Sequence, residues 1–306
     1  MPAAPRILFQ PLRWARRVEQ RVLPLLTVIA ALLLVWYAAA VWLNAPQLID
    51  RYAREGVAWS ASRLVQDAYA MDRPVLPAPH QILGELDRTV LRTPPRSNRS
   101  LVHHAWVTLS SALLGFAFGT ALGIALAVGI VHVPTLERSL MPWIIASQTI
   151  PILAIAPMIV VVLASIGVTG LLPKALISTY LCFFPVAIGM VKGLRAPDPL
   201  ALDLMRTWNA SATQMLWRLR FPAALPFLFA SLKVAIAISL VGAIVGELPT
   251  GAQAGLGARL LTGSYYGQTI QIWSALVMAS LLAALAVALV GLAERLTMRR
   301  MGGVAT

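Results

Sequence analysis

The 306-residue chain holds one cysteine, four histidines and only 12 acidic side chains. A lone Cys182 excludes an internal disulfide framework and a thiolate metal cluster, and its place within an apolar run reads as packing. His80, His103, His104 and His132 show no metal-ligand spacing, and neither H-E-x-x-H nor G-x-S-x-G occurs. No G-x4-G-K-[ST] loop is present to cradle a nucleotide. The chain is therefore expected to carry no catalytic residue, no metal and no cofactor of its own.

Charge is equally sparse, at 12% of residues, where a soluble domain carries about 25%. No charged side chain interrupts residues 22–49 or 139–173. About 20 apolar residues cross the hydrocarbon core as a helix, so both runs are long enough. The first run is too long for a signal peptide and has no small-residue cleavage site after it. With 58% hydrophobic residues and a mean hydropathy of +0.76, the chain reads as an all-α, polytopic membrane protein.

Six crossings are expected, at residues 22–43, 105–133, 140–166, 171–191, 224–246 and 270–293. Each must be helical, because lipid offers the backbone no hydrogen-bond partner. The third contains Pro151 and Pro157, and each is expected to kink it, making it a candidate pathway wall. The net charge of +13 follows topology rather than nucleic acid. With the N-terminus inside, 14 Lys and Arg residues flank the inner ends: Arg6, Arg13, Arg16, Arg17, Arg21, Arg138, Lys192, Arg195, Arg206, Arg218, Arg220, Arg295, Arg299 and Arg300. The short outer loops hold two, Lys174 and Arg259. Both termini (1–21 and 299–306) are thus expected in the cytoplasm, and 44–104 outside, with anionic lipid as the partner of the basic residues. Within that outer segment, 47–69 and 81–91 are expected as surface helices, separated by Leu76-Pro77-Ala78-Pro79.

Gly115, Gly119 and Gly123 recur every four residues, a small-residue face for helix packing. Lys233 lies two turns into the fifth crossing, either as a functional charge or as a side chain that snorkels to the inner face. Glu247 ends the same crossing and is expected to meet water. Gln148, Thr149, Pro151, Tyr180 and Ser239 are candidate pathway groups, with helix–helix hydrogen bonding as the alternative for the polar ones.

The loop 196–222 is the most informative stretch. Asp198-Pro199 is a helix start, an N-cap oxygen followed by proline at the first helical position. Ala201, Leu204, Met205 and Trp208 then recur with helical period. Asn209 suits a left-handed turn, and Ser211-Ala212-Thr213-Gln214 is a capping box opening a second helix. Two short amphipathic helices projecting from a bilayer form a docking element, or else lie on the headgroups.

This loop resembles the "EAA" loop of bacterial ABC importer permeases, E-A-A-x3-G-x9-I-x-L-P. The matching positions are Asp203-Leu204-Met205, then Asn209, then Leu219-Arg220-Phe221-Pro222 with spacing intact. The sequence departs at the two alanines and the glycine. Arg206 to Ser211, Leu219 to Pro226, Phe183-Phe184-Pro185, Gly193-Leu194-Arg195 and Gly255-Leu256-Gly257 look like the nitrate, sulfonate and taurine branch, which also takes pyrimidine-type precursors. The resemblance runs over residues 76–298, with 105–298 as the permease core and 44–75 as an insertion without assignment. It implies a type I importer permease in the bacterial inner membrane. Asp203, Leu204, Met205, Arg206, Asn209 and Ala210 would dock on a separate ATPase subunit, where ATP and Mg are bound. A second permease subunit (a homodimer) and an extracytoplasmic binding protein would complete the machine, taking up a small polar solute by alternating access. The competing class is an ion-gradient-driven secondary transporter, which usually needs an acid at membrane depth. None lies in the core of the six segments.

Overall fold

The computed structural model describes residues 11–249 and 254–301, with side chains from Val22 onward. The basic residues from Arg6 to Arg21, used above for orientation, and the tail 302–306 lie outside the described side chains. All regular structure among the described residues is helical. The chain divides after Glu85 into two units.

The first unit is built on one long helix, α1 (Pro11–Glu55), followed by α2 (Ala61–Ala70) and α3 (Pro79–Leu86). Here the structure corrects the expected boundaries. The helix that carries the first crossing does not end near residue 43, and 47–69 is not one helix. α1 runs on to Glu55 and stops at Gly56, whose φ of +65° only glycine adopts at low cost. The Val57 N–H then closes on the Tyr52 carbonyl at 3.0 Å, and Ser60 caps α2 by accepting from Arg63 N–H. Asn44, fully buried on α1, holds the return strand of chain in place. Its Oδ1 accepts from Val75 N–H (2.7 Å) and Leu76 N–H (3.2 Å), and its Nδ2 donates to the Leu76 carbonyl. Leu48, Tyr52 and Ala68 make a small core beneath α2. The unassigned insertion is thus a strap packed on the tail of α1.

The second unit holds a wide turn (Asp87–Arg92) and then α4 (Leu101–His132), α5 (Pro134–Ser147), α6 (Ile152–Ser165), α7 (Leu171–Leu194) and α8 (Pro199–Thr207). α9 (Ala212–Met215), α10 (Phe221–Glu247), α11 (Leu256–Tyr265) and α12 (Thr269–Arg300) complete it. α4, α7 and α10 form its centre, and small residues set their spacing. A Cβ at Gly115 would lie 2.3 Å from Ser178 Cβ, one at Gly119 2.1 Å from Cys182 Sγ, and one at Gly123 2.8 Å from Val186 Cβ. The backbones of α4 and α7 therefore approach as closely as a helix pair can. Polar side chains tie the same trio: Ser178 Oγ donates to the Ser239 carbonyl (2.9 Å), and Ser239 Oγ to the Ala112 carbonyl (2.5 Å). Gly119→Val is expected to cost the upper end of the ~1–3 kcal/mol of overpacking. The melting temperature in detergent would report it, with Gly84→Ala, which meets nothing within 4 Å, as the unaffected control.

Among the described residues, five helical stretches are long and apolar enough to cross a bilayer: the apolar part of α1, α4, α7, α9–α10 and α12. The expected third crossing is corrected. It is not one kinked helix but the pair α5 and α6, bent by 100° at the 148–151 break. Pro151 causes it, because its ring removes the N–H donor and holds the residue before it out of helical conformation. Pro151 itself is extended, with ψ 117°, and the Gln148 and Thr149 N–H groups fold back onto Ile145 and Ala146. Pro157 sits inside α6 without breaking it. Counted as one span, the bent pair brings the number of crossings to six.

Candidate functional site

The 196–222 loop is held by chemistry local to it. Asp198 accepts from Leu200 N–H at 2.9 Å, and Pro199 fills the first turn of α8. α8 ends at Asn209, the one non-glycine residue with positive φ (52°) among the described residues. The Ala210 N–H bonds to the Met205 carbonyl (3.0 Å) and the Asn209 N–H to Arg206 (2.9 Å), a left-handed helix stop. Ser211 and Gln214 form the reciprocal capping box, Ser211 Oγ accepting from Gln214 N–H and Gln214 Oε1 from Ser211 N–H. α9 then runs through a wide turn (Leu216–Arg220) into α10 without a break, so a displacement of α9 passes directly to a membrane helix. Asn209→Val is expected to cost ~1–2 kcal/mol of local stability, and Asn209→Gly almost nothing. Amide exchange in α8 would show it, about tenfold faster in the valine variant alone, since 1.4 kcal/mol is tenfold.

The apolar side chains of α8 divide into two faces where one was expected. Ala201, Leu202 and Met205 are half-buried. Leu200, Leu204 and Trp208 stand four apart and are 77%, 52% and 72% exposed. A stripe of large apolar groups at that spacing shares one helix face and is left uncovered by the described residues. Beside it, Asp203 and Arg206 pair at 2.9 Å in full contact with solvent, where an ion pair contributes little to stability. Two tethers fasten the loop ends. Arg195 pairs with Glu137 of α5 at 2.7 Å, and Arg220 Nη1 donates to the Leu194 carbonyl at 3.0 Å.

The other expected site residues are scattered. Gln148 and Thr149 lie exposed at the α5–α6 break beside Pro151, and Thr149 Oγ1 donates to the Ala146 carbonyl. The Tyr180 hydroxyl donates to the Ser147 carbonyl, which brings α7 to the same break. Ser239 is fully buried between α4, α7 and α10. Lys233 forms an ion pair with Glu294 of α12.

A second polar centre was missed. Glu247 does not meet water: it is 0% exposed, at the end of α10 far from the 196–222 loop. Its carboxylate accepts from Thr108 Oγ1 (2.9 Å) and Gly257 N–H (2.7 Å), and Lys174 Nζ stands 3.9 Å away. Thr108 Oγ1 also accepts from Leu256 N–H, and His104 Nδ1 from Gly255 N–H. A Cβ at Gly255, whose φ is +131°, would fall 2.2 Å from the Glu247 carboxyl carbon. Thus one carboxylate locks the start of α11 onto α4 and α7. Its signal in the sequence is scarcity, since Lys174 is the one Lys or Arg between Arg138 and Lys192.

Residues 119–303 match the family described as binding-protein-dependent transport system inner membrane component. Among relatives, the riboflavin transport system permease protein of Chloroflexus aurantiacus is 31% identical over 225 residues, covering 74% of this chain and 80% of its own. The formylaminopyrimidine transport permease protein of Halalkalibacterium halodurans is 32% identical over 202 residues, with 66% and 74% covered. The putative aliphatic sulfonates transport permease protein of Bacillus subtilis is 26% identical over 222 residues, with 70% and 79% covered. With its helical membrane spans and its family match across the core helices, the chain belongs to the binding-protein-dependent ABC permeases, the type I inner membrane components of such transport systems.

Proposed function

We propose that this chain is the membrane-spanning half of an ATP-driven importer, and that α8 is the surface through which an ATPase subunit moves it. The observation that carries the reading is the solvent-facing stripe Leu200, Leu204 and Trp208, flanked by Asp203 and Arg206, on a helix fixed by caps at both ends. Hot-spot surfaces are built this way, with large apolar anchors at the centre and charged groups at the rim. Met205 is half-buried beside that stripe, while Asn209 and Ala210 end the helix. Force applied to α8 passes through α9 into α10, and through the Arg195–Glu137 pair into α5.

In this reading the 196–222 loop and both termini face the cytoplasm, where the basic residues concentrate. A second copy of the chain and an extracytoplasmic binding protein complete the transporter. The α5–α6 break, with Gln148, Thr149 and Tyr180 around it, borders the pathway, because irregular backbone at membrane depth is tolerated beside a cavity or protein. The solute is a small polar molecule. Two relatives above 30% identity are named for riboflavin and formylaminopyrimidine, while the one named for sulfonates is 26% identical, which favours a nitrogen heterocycle over a sulfonate.

Crosslinking tests the docking. Cys182 is buried and does not compete with an introduced thiol. Leu200→Cys is expected to crosslink to the co-expressed ATPase in inverted membrane vesicles and to react with an impermeant maleimide only in those vesicles. Labelling from the opposite side, or no crosslink despite normal uptake, would overturn both orientation and docking.

A further inference from the structure

The first unit holds a cleft of about 580 Å³ between the tail of α1, α2 and the bend that follows α2. Three arginines and three acids line it, so its formal charge is zero: Arg51 and Glu55 from α1, Arg63 and Asp67 from α2, Asp72 and Arg73 from the bend. Four of the six are engaged within their own helices. Arg51 Nε stands 2.9 Å from Glu55 Oε1, and Arg63 Nε 3.8 Å from Asp67 Oδ2. Asp67 also accepts from the Tyr52 hydroxyl, and the Arg63 guanidinium lies 5.8 Å from the centre of the Tyr52 ring. These contacts cross from α1 to α2 and fix that wall. Asp72 and Arg73, neighbours on the exposed bend, pair with nothing among the described residues, including each other.

We propose that this cleft binds a small zwitterion that carries a primary ammonium and an acid group, the ammonium on Asp72 and the acid on Arg73. A carboxylate accepts the N–H groups of an ammonium, and a guanidinium presents paired donors to a carboxylate or phosphate. A ligand of one sign would complete one of these pairs and leave the other charge alone, whereas a zwitterion completes both in a cleft already neutral. The volume falls in the range of about 300–1,000 Å³ usual for small-molecule sites. Leu48, Ala70 and Met71 add apolar surface for a short alkyl group. Leu48 to Glu55 continue α1 roughly 8–18 Å past residue 43, at ~1.5 Å per residue. That is the outer edge of the headgroup layer and the water beyond it. The zwitterion is therefore a free α-amino acid or the headgroup of an ethanolamine lipid.

The test uses the full-length protein, delipidated in a neutral detergent. Leucine and dihexanoyl phosphatidylethanolamine carry both charges, while N-acetylleucine and dihexanoyl phosphatidylglycerol lack the ammonium and leucinamide lacks the acid. At least one zwitterion is expected to bind about tenfold tighter than its singly charged counterpart, the effect of one charge-assisted hydrogen bond. Asp72→Asn is expected to erase the preference for the ammonium, and Arg73→Gln to weaken the zwitterion about tenfold. Both residues are exposed, so both variants are expected to keep the parent melting temperature. The probe comparison on the parent protein stands even if a variant melts lower. Asp50→Asn, outside the cleft, is expected to bind like the parent. Tighter binding of leucine identifies a free amino acid, and tighter binding of the phosphatidylethanolamine a lipid headgroup. Binding of neither zwitterion, equal binding of the singly charged probes, or a preference unchanged in both variants overturns the proposal.

Discussion

Leu204→Asp is expected to abolish ATP-driven uptake by the assembled transporter, by more than tenfold, while the protein melts at its usual temperature. The two halves of this result have separate causes. Leu204 is half exposed on a helix with no buried residue, so its replacement changes folding stability by about 0.5 kcal/mol or less. As the central member of the stripe with Leu200 and Trp208, it is the anchor a partner would desolvate, and such anchors contribute about 2 kcal/mol or more. An aspartate there would bury an unpaired charge in the interface. Vesicle uptake and a melting curve on one preparation check both halves. A variant that unfolds, or one that transports normally, removes α8 from the docking role. Asp203→Ala and Arg206→Ala probe the rim and are expected to weaken coupling less.

Glu247→Ala is expected to be among the most destabilising single substitutions outside the glycine stripe, at about 3–5 kcal/mol, the cost of removing one partner of a buried charge pair. Lys174, itself almost inaccessible, would keep its charge without the carboxylate 3.9 Å away. The Thr108 hydroxyl and the Gly257 N–H would each lose an acceptor. Glu247→Gln retains an acceptor for Gly257 and is expected to lose less. Thermal melts of the two variants in detergent give the comparison. An alanine variant as stable as the parent would show that the start of α11 is held by packing alone.

These two sites also show which parts of the molecule were legible from residues. α8 and its flanks were readable in detail, because an N-cap aspartate, a proline at the first position, a left-handed asparagine and a capping box act over two to five residues. The stripe Gly115, Gly119 and Gly123 announced a packing face, although nothing in it named α7 as the partner. Glu247 was misread because its meaning depends on Thr108, 139 residues away in sequence, and on Lys174 of a third helix. Pro151 and Pro157 look alike in sequence. They differ because Ser147 and Thr149 turn their hydroxyls onto carbonyls just before Pro151, while Pro157 has an uninterrupted helix on both sides. The strap of the first unit was hidden for the same reason as Glu247: Asn44 reads as the start of a loop until its partners at Val75 and Leu76 are known.

The identification as a permease subunit driven from α8 meets its most direct test in reconstituted uptake. Proteoliposomes would hold this chain with its ATPase, the binding protein outside and labelled riboflavin, formylaminopyrimidine or taurine as the solute. The account predicts accumulation of one solute that requires ATP, the ATPase and the binding protein together, and that Leu204→Asp abolishes. Accumulation by this chain alone, driven by a proton or sodium gradient and indifferent to ATP, would contradict it.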